Sequence, residues 1–424
     1  MKRISLSLFF VIAALGLFAQ VADKAKDLLK ANKLADAKAE IDRVLAVDKN
    51  QKAQDAWFYK AKIYTAIAGN EQMKGQVPDA YAQAFDALKK YMELDDKKIY
   101  LLLMQDQYKA INDIYQGSFQ SGAANYNAGK FPDALSDFKM AISTIKFMSE
   151  KGWIKQTMDT TATLYAGISA EKANKRDDAA VFYKQIVDSG ITKIGGNDMS
   201  EIYKWVADYY SRKGDEGSMW KYIAIGKQKY PKDIFWPEME LDILRKKGNK
   251  DSLFAKYDEI TKDFPDSSIY FFNYGLELYQ YASDTSTGKR PANADELTKK
   301  AQDELTKSLA LKPDYPQASL VLGQVSYNAG VELQQQAKAI KGTKPEDVKK
   351  RTDLRAQANK KFDEAIPYFE KVDQLLGSQG KLKMQDKRSL KDAYDLLITI
   401  YENKNVKDKA TAYTDKFNNV DKVH

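Results

Sequence analysis

Apolar side chains recur at helical spacing along most of the chain. The clearest case is the segment Gly129–Ile142, in which Phe131, Ala134, Phe138 and Ala141 stand three or four residues apart with polar residues between them. This spacing places the four side chains on one face of an α-helix. The pattern predicts an amphipathic helix, because each small Ala allows a neighbouring helix to approach and each Phe fills the space one turn away.

The same arrangement returns throughout the sequence. With the small residue as the anchor, the units fall at Ala37, Ala84, Ala134, Ala179, Met219, Leu253, Ala301, Ala365 and Ala410. A second apolar stripe lies upstream of each anchor, for example Tyr203, Ala207 and Tyr210, and Gly214 then ends it as a left-handed terminator. Prolines that would break a helix stand just beyond three of the second helices: Pro231, Pro265 and Pro313. The chain is therefore predicted to be a series of helix pairs.

This unit resembles the tetratricopeptide repeat family. The residues that carry the resemblance are Gly129, Phe131, Ala134, Phe138 and Ala141. The resemblance covers essentially the whole mature chain and implies an all-α fold, a right-handed superhelical solenoid of about nine antiparallel helix pairs. Most intervals between anchors exceed the family period of about 34 residues, which indicates lengthened helices and inserted loops. Met219 and Leu253 replace the small residue that the family uses.

The amino terminus has the pattern of a secretory signal. Lys2 and Arg3 precede an apolar stretch from Ile4 to Ala19, which is too short for a comfortable membrane span of about 20 residues. We expect residues 1–19 to be removed after Ala19, with a retained amino-terminal anchor as the alternative. Because the chain has no Cys, a lipoprotein is excluded. The expected location is the periplasm of a Gram-negative bacterium or the outside of the cell.

Loop composition suggests the domain organisation. We expect an amino-terminal array over residues 20–190 and a carboxy-terminal array over residues 199–424, divided by the Gly-containing link Ile191–Asp198. Around residues 331–359 the repeat spacing is longest, and this segment is predicted to be a helical insertion with two helical extensions flanking a turn.

Composition removes several classes of chemistry. The chain has 0 Cys and 1 His, and that His is the terminal His424. Thiol nucleophiles, Cys-ligated metals and a Ser-His-Asp triad are therefore not expected, and no catalytic residue, metal site or cofactor is predicted. The net charge of +8, which falls by two with the signal, favours a solvated surface and no nucleic-acid partner. No membrane span is expected in the mature chain, although the basic segment 338–361 leaves peripheral envelope association open.

The resemblance also implies a binding surface, since the first helix of each family unit lines a concave groove. Placed on that frame, the candidate contact residues are Phe119, Tyr126, Asn127, Lys204, Arg212, Arg245, Lys246, Tyr279, Tyr327 and Asn328. The tetrapeptide Tyr-Asn-Ala-Gly is predicted to end two first helices, at Gly129 and at Gly330. The alternative for these residues is repeat packing and helix termination. A basic clamp for a terminal carboxylate is not expected, because acidic Asp208 stands one turn after Lys204.

Together these patterns predict a non-catalytic protein–protein interaction scaffold of the bacterial periplasm or envelope, which binds a protein or peptide of unknown identity. A glycan-binding accessory protein is an alternative, since Tyr and Trp can stack on sugar rings. A hydrolase that uses paired carboxylates is a less favoured alternative.

Overall fold

The structure is a computed structural model that describes residues 21–73, 75–77, 79–286 and 288–424. Across these residues it contains nineteen α-helices, one short 3₁₀ helix at Asp48–Lys52 and two strands of two residues each. The prediction of an all-α fold is confirmed. The predicted signal peptide, residues 1–19, lies outside the described residues.

Backbone contacts divide the chain into two compact units, Met1–Trp236 and Pro237–His424. The helices of the first unit are α1 (Asp23–Lys30), α2 (Leu34–Leu45), α3 (Gln54–Ala68), α4 (Ala80–Glu93), α5 (Leu101–Gln105), α6 (Lys109–Asn127), α7 (Phe131–Glu150), α8 (Thr160–Lys172), α9 (Arg176–Asp188), α10 (Ser200–Lys213) and α11 (Glu216–Lys229). Strands β1 (Lys193–Ile194) and β2 (Asn197–Asp198) pair antiparallel between α9 and α10.

Helix α12 (Phe235–Lys247) spans the boundary between the units. The helices that follow in the second unit are α13 (Lys250–Asp263), α14 (Ser268–Ser283), α15 (Ala294–Leu311), α16 (Pro316–Ala339), α17 (Pro345–Leu376), α18 (Met384–Asn403) and α19 (Lys407–Val423). The longest interval between anchor residues, around residues 331–359, consists of the end of α16 and the start of α17.

The predicted division of the chain into two arrays at Ile191–Asp198 stays a prediction.

Apart from the short α5, the described helices follow one another in chain order as nine consecutive pairs, from α1 with α2 to α18 with α19. All nine anchor positions of the sequence pattern lie on the second helix of a pair, including Met219 on α11 and Leu253 on α13. The predicted number of units is therefore confirmed within the described residues. The anchors are buried because this position faces the partner helix.

The turns inside the pairs use the left-handed backbone that the sequence predicts. Gly129 has φ +73° after α6 and Gly214 has φ +71° after α10. Asn174 takes the same region after α8, with φ 58°, since Asn tolerates it better than most residues. The second Tyr-Asn-Ala-Gly copy was expected to end a helix, and this expectation is wrong. Gly330 lies inside α16, where it contacts Phe362.

Close packing within a pair depends on glycines in the first helix. A methyl group at Gly167 of α8 would stand 2.5 Å from the Tyr183 ring of α9, and one at Gly323 of α16 would stand 2.5 Å from the Phe369 ring of α17. Tyr183 and Phe369 are almost completely buried. The same combination of a glycine and a large side chain joins Gly122 to Phe138, Gly275 to Leu305 and Gly330 to Phe362. The missing methyl group thus sets how closely the two helices approach.

Successive pairs are joined by a recurring group of one carboxylate, one Tyr and one Lys. In the second unit the Tyr274 hydroxyl of α14 donates to Asp258 of α13 at 3.0 Å, and Lys300 of α15 pairs with the same carboxylate at 2.9 Å. The Lys300 ammonium also lies 5.0 Å from the centre of the Tyr274 ring. Burial, followed by the charge of Asp258, raises the pKa of Tyr274 far above its ordinary value, so this phenol remains a hydrogen-bond donor.

Equivalent groups occur at other junctions between pairs. Their members are Asp42, Tyr64 and Lys38; Asp177, Tyr209 and Lys213; Asp188, Tyr222 and Lys221; Asp373, Tyr394 and Lys416; and Glu370, Tyr401 and Lys409. The chain has no Cys to cross-link its repeats. These polar junctions and the apolar contacts around them therefore hold one pair to the next.

The glycine contact can be tested by Gly167→Ala. The added methyl group overlaps the Tyr183 ring, and the resulting overpacking is expected to lower the free energy of unfolding by roughly 1–3 kcal/mol. Gly217→Ala is the matched control in the same unit, because its new methyl group meets only Asp215 at 3.7 Å in an exposed turn of α11. That variant is expected to gain about 0.5–1 kcal/mol from the better helix propensity of Ala. Urea unfolding followed by circular dichroism measures both, and a neutral Gly167→Ala would contradict the packing argument.

The polar junction can be tested by Tyr274→Phe. Removal of the hydroxyl leaves the Asp258 carboxylate with the Lys300 ammonium but without the hydrogen bond from the phenol, at an expected cost of roughly 1–2 kcal/mol in unfolding free energy. Tyr281 lies on the same helix, and its hydroxyl bonds to no residue that the structure describes. Tyr281→Phe is therefore expected to stay within about 0.5 kcal/mol of the unsubstituted chain. Equal losses in the two variants, measured by the same urea titration, would show that the hydroxyl of Tyr274 contributes nothing specific.

Candidate functional site

The first helices of the first three pairs border a surface groove in the first unit. It is an open cavity of about 540 Å³. Its lining residues come from α1, α3, α4 and α6 and the residues next to them: Leu29, Lys30, Lys62, Thr65, Ala66, Gly69, Tyr81, Lys109, Ala110, Asp113, Gln116, Gly117 and Gln120. We call this cavity the first-helix groove. It occupies the face that the repeat pattern predicts for partner binding.

Tyr81 reaches this groove from α4, the second helix of its pair. Its hydroxyl lies between Gly69 and Gly117, and a methyl group at Gly117 would overlap the hydroxyl. The side chain is only 9% exposed, yet its hydroxyl bonds to no residue within the described ranges. Burial, followed by the charges of Asp137 and Asp113, raises the pKa of Tyr81 to about 12. A phenol in this position can donate a hydrogen bond to a bound group.

The charged groups of the groove are mostly paired. Lys62 contacts Asp106 at 2.5 Å, and Lys109 pairs with Asp113 one turn along α6. Lys30 is exposed and has no ion pair with the residues that the structure describes.

The two amides of the groove, Gln116 and Gln120, are exposed one turn apart on α6. A carboxamide both donates and accepts hydrogen bonds, as the backbone of a peptide requires. These two amides therefore add donors and acceptors to the groove.

A second cavity of about 390 Å³ is bordered by residues of α4, α6 and α7 and of the segment before α4. At its wall the Asp137 carboxylate accepts hydrogen bonds from Ser121 at 2.7 Å and from Asn125 at 2.8 Å. We call this cavity the Asp137 pocket. Tyr81 belongs to the lining of both cavities.

The aromatic candidates of the first unit lie in packing contacts. Phe119 meets the Phe138 ring with centroids 5.7 Å apart, and Tyr126 meets the Tyr165 ring of the next pair at 5.2 Å. Neither residue lines the first-helix groove. Asn127, at the end of α6, is exposed.

The basic candidates of the first unit contact acidic neighbours. Lys204 pairs with Asp233 at 2.7 Å and with Glu201 at 2.9 Å, which raises its pKa although burial opposes the shift. Arg212 is exposed and contacts Asp208 at 2.6 Å. Asp208, which argued against a clamp for a terminal carboxylate, is therefore an intramolecular partner of the basic candidate Arg212.

The candidates of the second unit comprise two basic residues and three residues with an aromatic or amide side chain. Arg245 is tied to Glu277 at 2.8 Å, to Asp242 at 2.9 Å and to the Tyr257 hydroxyl at 2.6 Å, whereas Lys246 is exposed. Aromatic Tyr327 meets the Phe362 ring at 5.5 Å. The exposed Asn328 donates to the Tyr279 hydroxyl at 2.5 Å, and this bond joins α16 to α14. The assignment of the ten candidates to partner binding stays a prediction.

The residues that line the first-helix groove were missed by the sequence reasoning. Gln116, Gln120 and Thr65 are ordinary helix-surface residues whose pattern carries no signal of binding. Gly117 offered the only local signal, since a glycine in the middle of a helix indicates a close approach. Within the described residues no group of three acidic or His side chains is placed to hold a metal ion. None of the described helices combines the length and the apolar character needed to cross a membrane.

Comparisons with known proteins gave matches among solved structures. No family model matches the chain, and no curated protein matches it. The C-terminal part of a TPR repeat-containing protein from Cytophaga hutchinsonii is similar with a TM-score of 0.43 and 14% identity, over 72% of this chain and 96% of that chain. A TPR repeats protein from Bacteroides fragilis gives a TM-score of 0.28 and 13% identity, over 66% and 98%. An IFIT1 monomeric mutant with Gppp-AAAA gives 0.25 and 14%, over 88% and 95%.

These overlays are partial, and the class of protein follows from the helices themselves. Nine helix pairs carry small anchor residues or their replacements on the second helix, and left-handed Gly or Asn residues end several first helices. The fold is an all-α array of tetratricopeptide-like helix pairs, as the sequence predicts.

Proposed function

We propose that the protein is a non-catalytic scaffold that binds a segment of a partner polypeptide in the first-helix groove. The observation that carries this proposal is a cavity of about 540 Å³ bordered by three first helices. Its lining includes polar groups that bond to no residue among those that the structure describes. Those groups are the Tyr81 hydroxyl, the Lys30 ammonium and the Gln116 and Gln120 amides. Together they offer donors and acceptors to a peptide backbone.

The helix pairs supply the rigidity that such a site needs. Tyr81 is buried at the floor of the groove, and Lys62 and Lys109 are restrained by Asp106 and Asp113. Side chains that are already ordered lose little further entropy when a ligand binds. Most of the conformational entropy lost on binding is therefore lost by the partner segment. A short extended or helical segment would fit the groove.

The lining of the groove disfavours the glycan-binding alternative. Sugar recognition by stacking uses exposed aromatic faces. Among the described residues that line the groove, Tyr81 is the one aromatic residue, and it is buried. We also propose that the partner is not a nucleic acid, since Lys62 and Lys109 already have acidic partners.

We further propose that the protein acts in the periplasm or at the envelope of a Gram-negative bacterium. The support is the sequence pattern of Lys2 and Arg3 followed by the apolar stretch up to Ala19. In such a compartment the first-helix groove would meet exported or envelope-bound polypeptides.

Site-specific photocrosslinking tests the groove. A benzoylphenylalanine placed at Gln116 or Gln120 is expected to form an adduct of defined mass in cells, because both positions face the groove. Lys146 is the matched control, since it is exposed on α7, a second helix outside the groove. Adducts should be sensitive to protease and resistant to nuclease. Equal crosslinking at Lys146, no adduct at either glutamine, or nuclease-sensitive adducts would contradict the proposal.

The location is tested by the amino terminus of the protein isolated from cells. If the signal is removed after Ala19, mass spectrometry of the terminal peptide finds Gln20 as the first residue, and fractionation places the protein with periplasmic markers. Replacement of Lys2 and Arg3 by Glu is expected to retain the uncleaved chain in the cytoplasm. Recovery of an intact terminus that includes Lys2 and Arg3 from the unsubstituted protein would exclude the cleaved form.

A further inference from the structure

Three large aliphatic side chains are exposed close together around the short helix α5. Ile99, Leu101 and Met104 are 52%, 48% and 52% exposed. Leu101 and Met104 lie three residues apart on α5, so they share one face of its single turn, and Ile99 comes just before the helix. Every other exposed large hydrophobic residue of the described chain stands singly in the sequence. Residues 97–104, which we call segment 97–104, therefore present an apolar surface that the described helices leave uncovered.

The backbone of segment 97–104 is strained and held in place. Lys98 and Tyr100 take the left-handed region, with φ 53° and 52°, which costs free energy for a residue with a side chain. The Asp95 carboxylate accepts a hydrogen bond from the Tyr100 N–H, and the Tyr91 hydroxyl accepts one from the Leu102 N–H at 3.0 Å. A fixed and strained conformation that leaves aliphatic side chains in water indicates that these side chains serve a contact outside the chain.

An aromatic cluster supports this segment. The Trp153 ring, from the loop after α7, meets the Tyr100 ring with centroids 6.2 Å apart and the Tyr108 ring at 4.9 Å. Trp153 is half-buried. Its Nε1 bonds to no residue within the described ranges, whereas the indole nitrogens of Trp57 and Trp205 donate to Gln51 and Glu171. Trp and Tyr rings with a free polar tip are favoured where a bilayer meets water.

Unpaired lysines accompany the apolar and aromatic residues. Four exposed lysines next to them in the sequence form no ion pair with a described residue, namely Lys97, Lys98, Lys151 and Lys155. The Lys151 ammonium lies 6.0 Å from the centre of the Tyr100 ring. Asp95 and Asp96 are the acidic residues of the same loop, and Asp95 already accepts a hydrogen bond from the backbone. The excess of positive charge is complementary to a surface of anionic groups.

We propose that segment 97–104 docks on the surface of an anionic lipid bilayer. Ile99, Leu101 and Met104 enter the headgroup region, where they leave water, and the four lysines contact lipid phosphates. Protein interfaces are enriched in Arg and depleted in Lys, and the chain has no Arg between residues 90 and 160. The charges therefore favour a lipid surface over a polypeptide. None of residues 97–104 lines the first-helix groove, so the inference goes beyond the proposed function and does not depend on it.

A fluorescent label at one position tests the docking. Because the chain has no Cys, Met104→Cys gives the full chain a single site for an environment-sensitive nitrobenzoxadiazole label. With vesicles of phosphatidylcholine and phosphatidylglycerol, we expect the emission to increase and to shift to the blue as the label enters the bilayer. Val181→Cys is the matched control, since Val181 is 53% exposed on α9, and its label should not respond. Attachment through the apolar stretch at residues 4–19 alone would leave the two labels alike.

Sedimentation with the same vesicles measures the contributions of charge and apolar area. Lys97→Gln and Lys98→Gln are each expected to weaken binding about fivefold. Ile99→Ser combined with Met104→Ser should weaken it roughly tenfold or more, whereas Val181→Ser should have no effect. All of these positions are exposed, and circular dichroism verifies that each variant folds. Equal responses of the two labels, or equal binding to vesicles without phosphatidylglycerol, would overturn the proposal. So would a photocrosslink from position 104 to a protein in cells if the vesicles do not bind.

Discussion

The close approach of two helices within a pair is the constraint on which the rest of the structure depends. At Gly167 and at Gly323 the first helix lacks a side chain where the second helix inserts a buried ring. The ring packs directly on the backbone of the first helix and is shielded from water there. The two helices of the pair therefore pack at high density. The positions of the surface features, including the first-helix groove, depend on how closely the paired helices approach each other.

Polar junctions then organise the pairs into arrays without any covalent link. A carboxylate, a Tyr hydroxyl and a Lys ammonium meet at one junction after another, as Asp258, Tyr274 and Lys300 do. Buried charge is costly on its own, but here each carboxylate is both hydrogen-bonded and paired. This arrangement uses six of the 26 Tyr residues of a chain without Cys. The carboxylates in these groups therefore contribute to the contact between one pair and the next.

The same device that packs the core also shapes the two cavities. Tyr81 crosses from the second-helix layer toward the first-helix groove because Gly69 and Gly117 leave room for its hydroxyl. The ring lines a groove with paired lysines and exposed amides, and it also lines a pocket with three carboxylates. One buried residue thus contributes to the walls of both cavities.

The sequence by itself determined the class of fold, the number of helix pairs and the turns at Gly129 and Gly214, since helix periodicity and left-handed terminators are local properties. It did not indicate which residues line the first-helix groove. Tyr126 and Tyr327, chosen for their place on a repeat frame, lie against Tyr165 and Phe362, whereas the groove uses plain surface residues. Only the tertiary structure decides which residues pack together and which line a cavity. Ion pairs and cavities form between residues that are far apart in the chain, and a local sequence pattern does not show which of these residues come into contact.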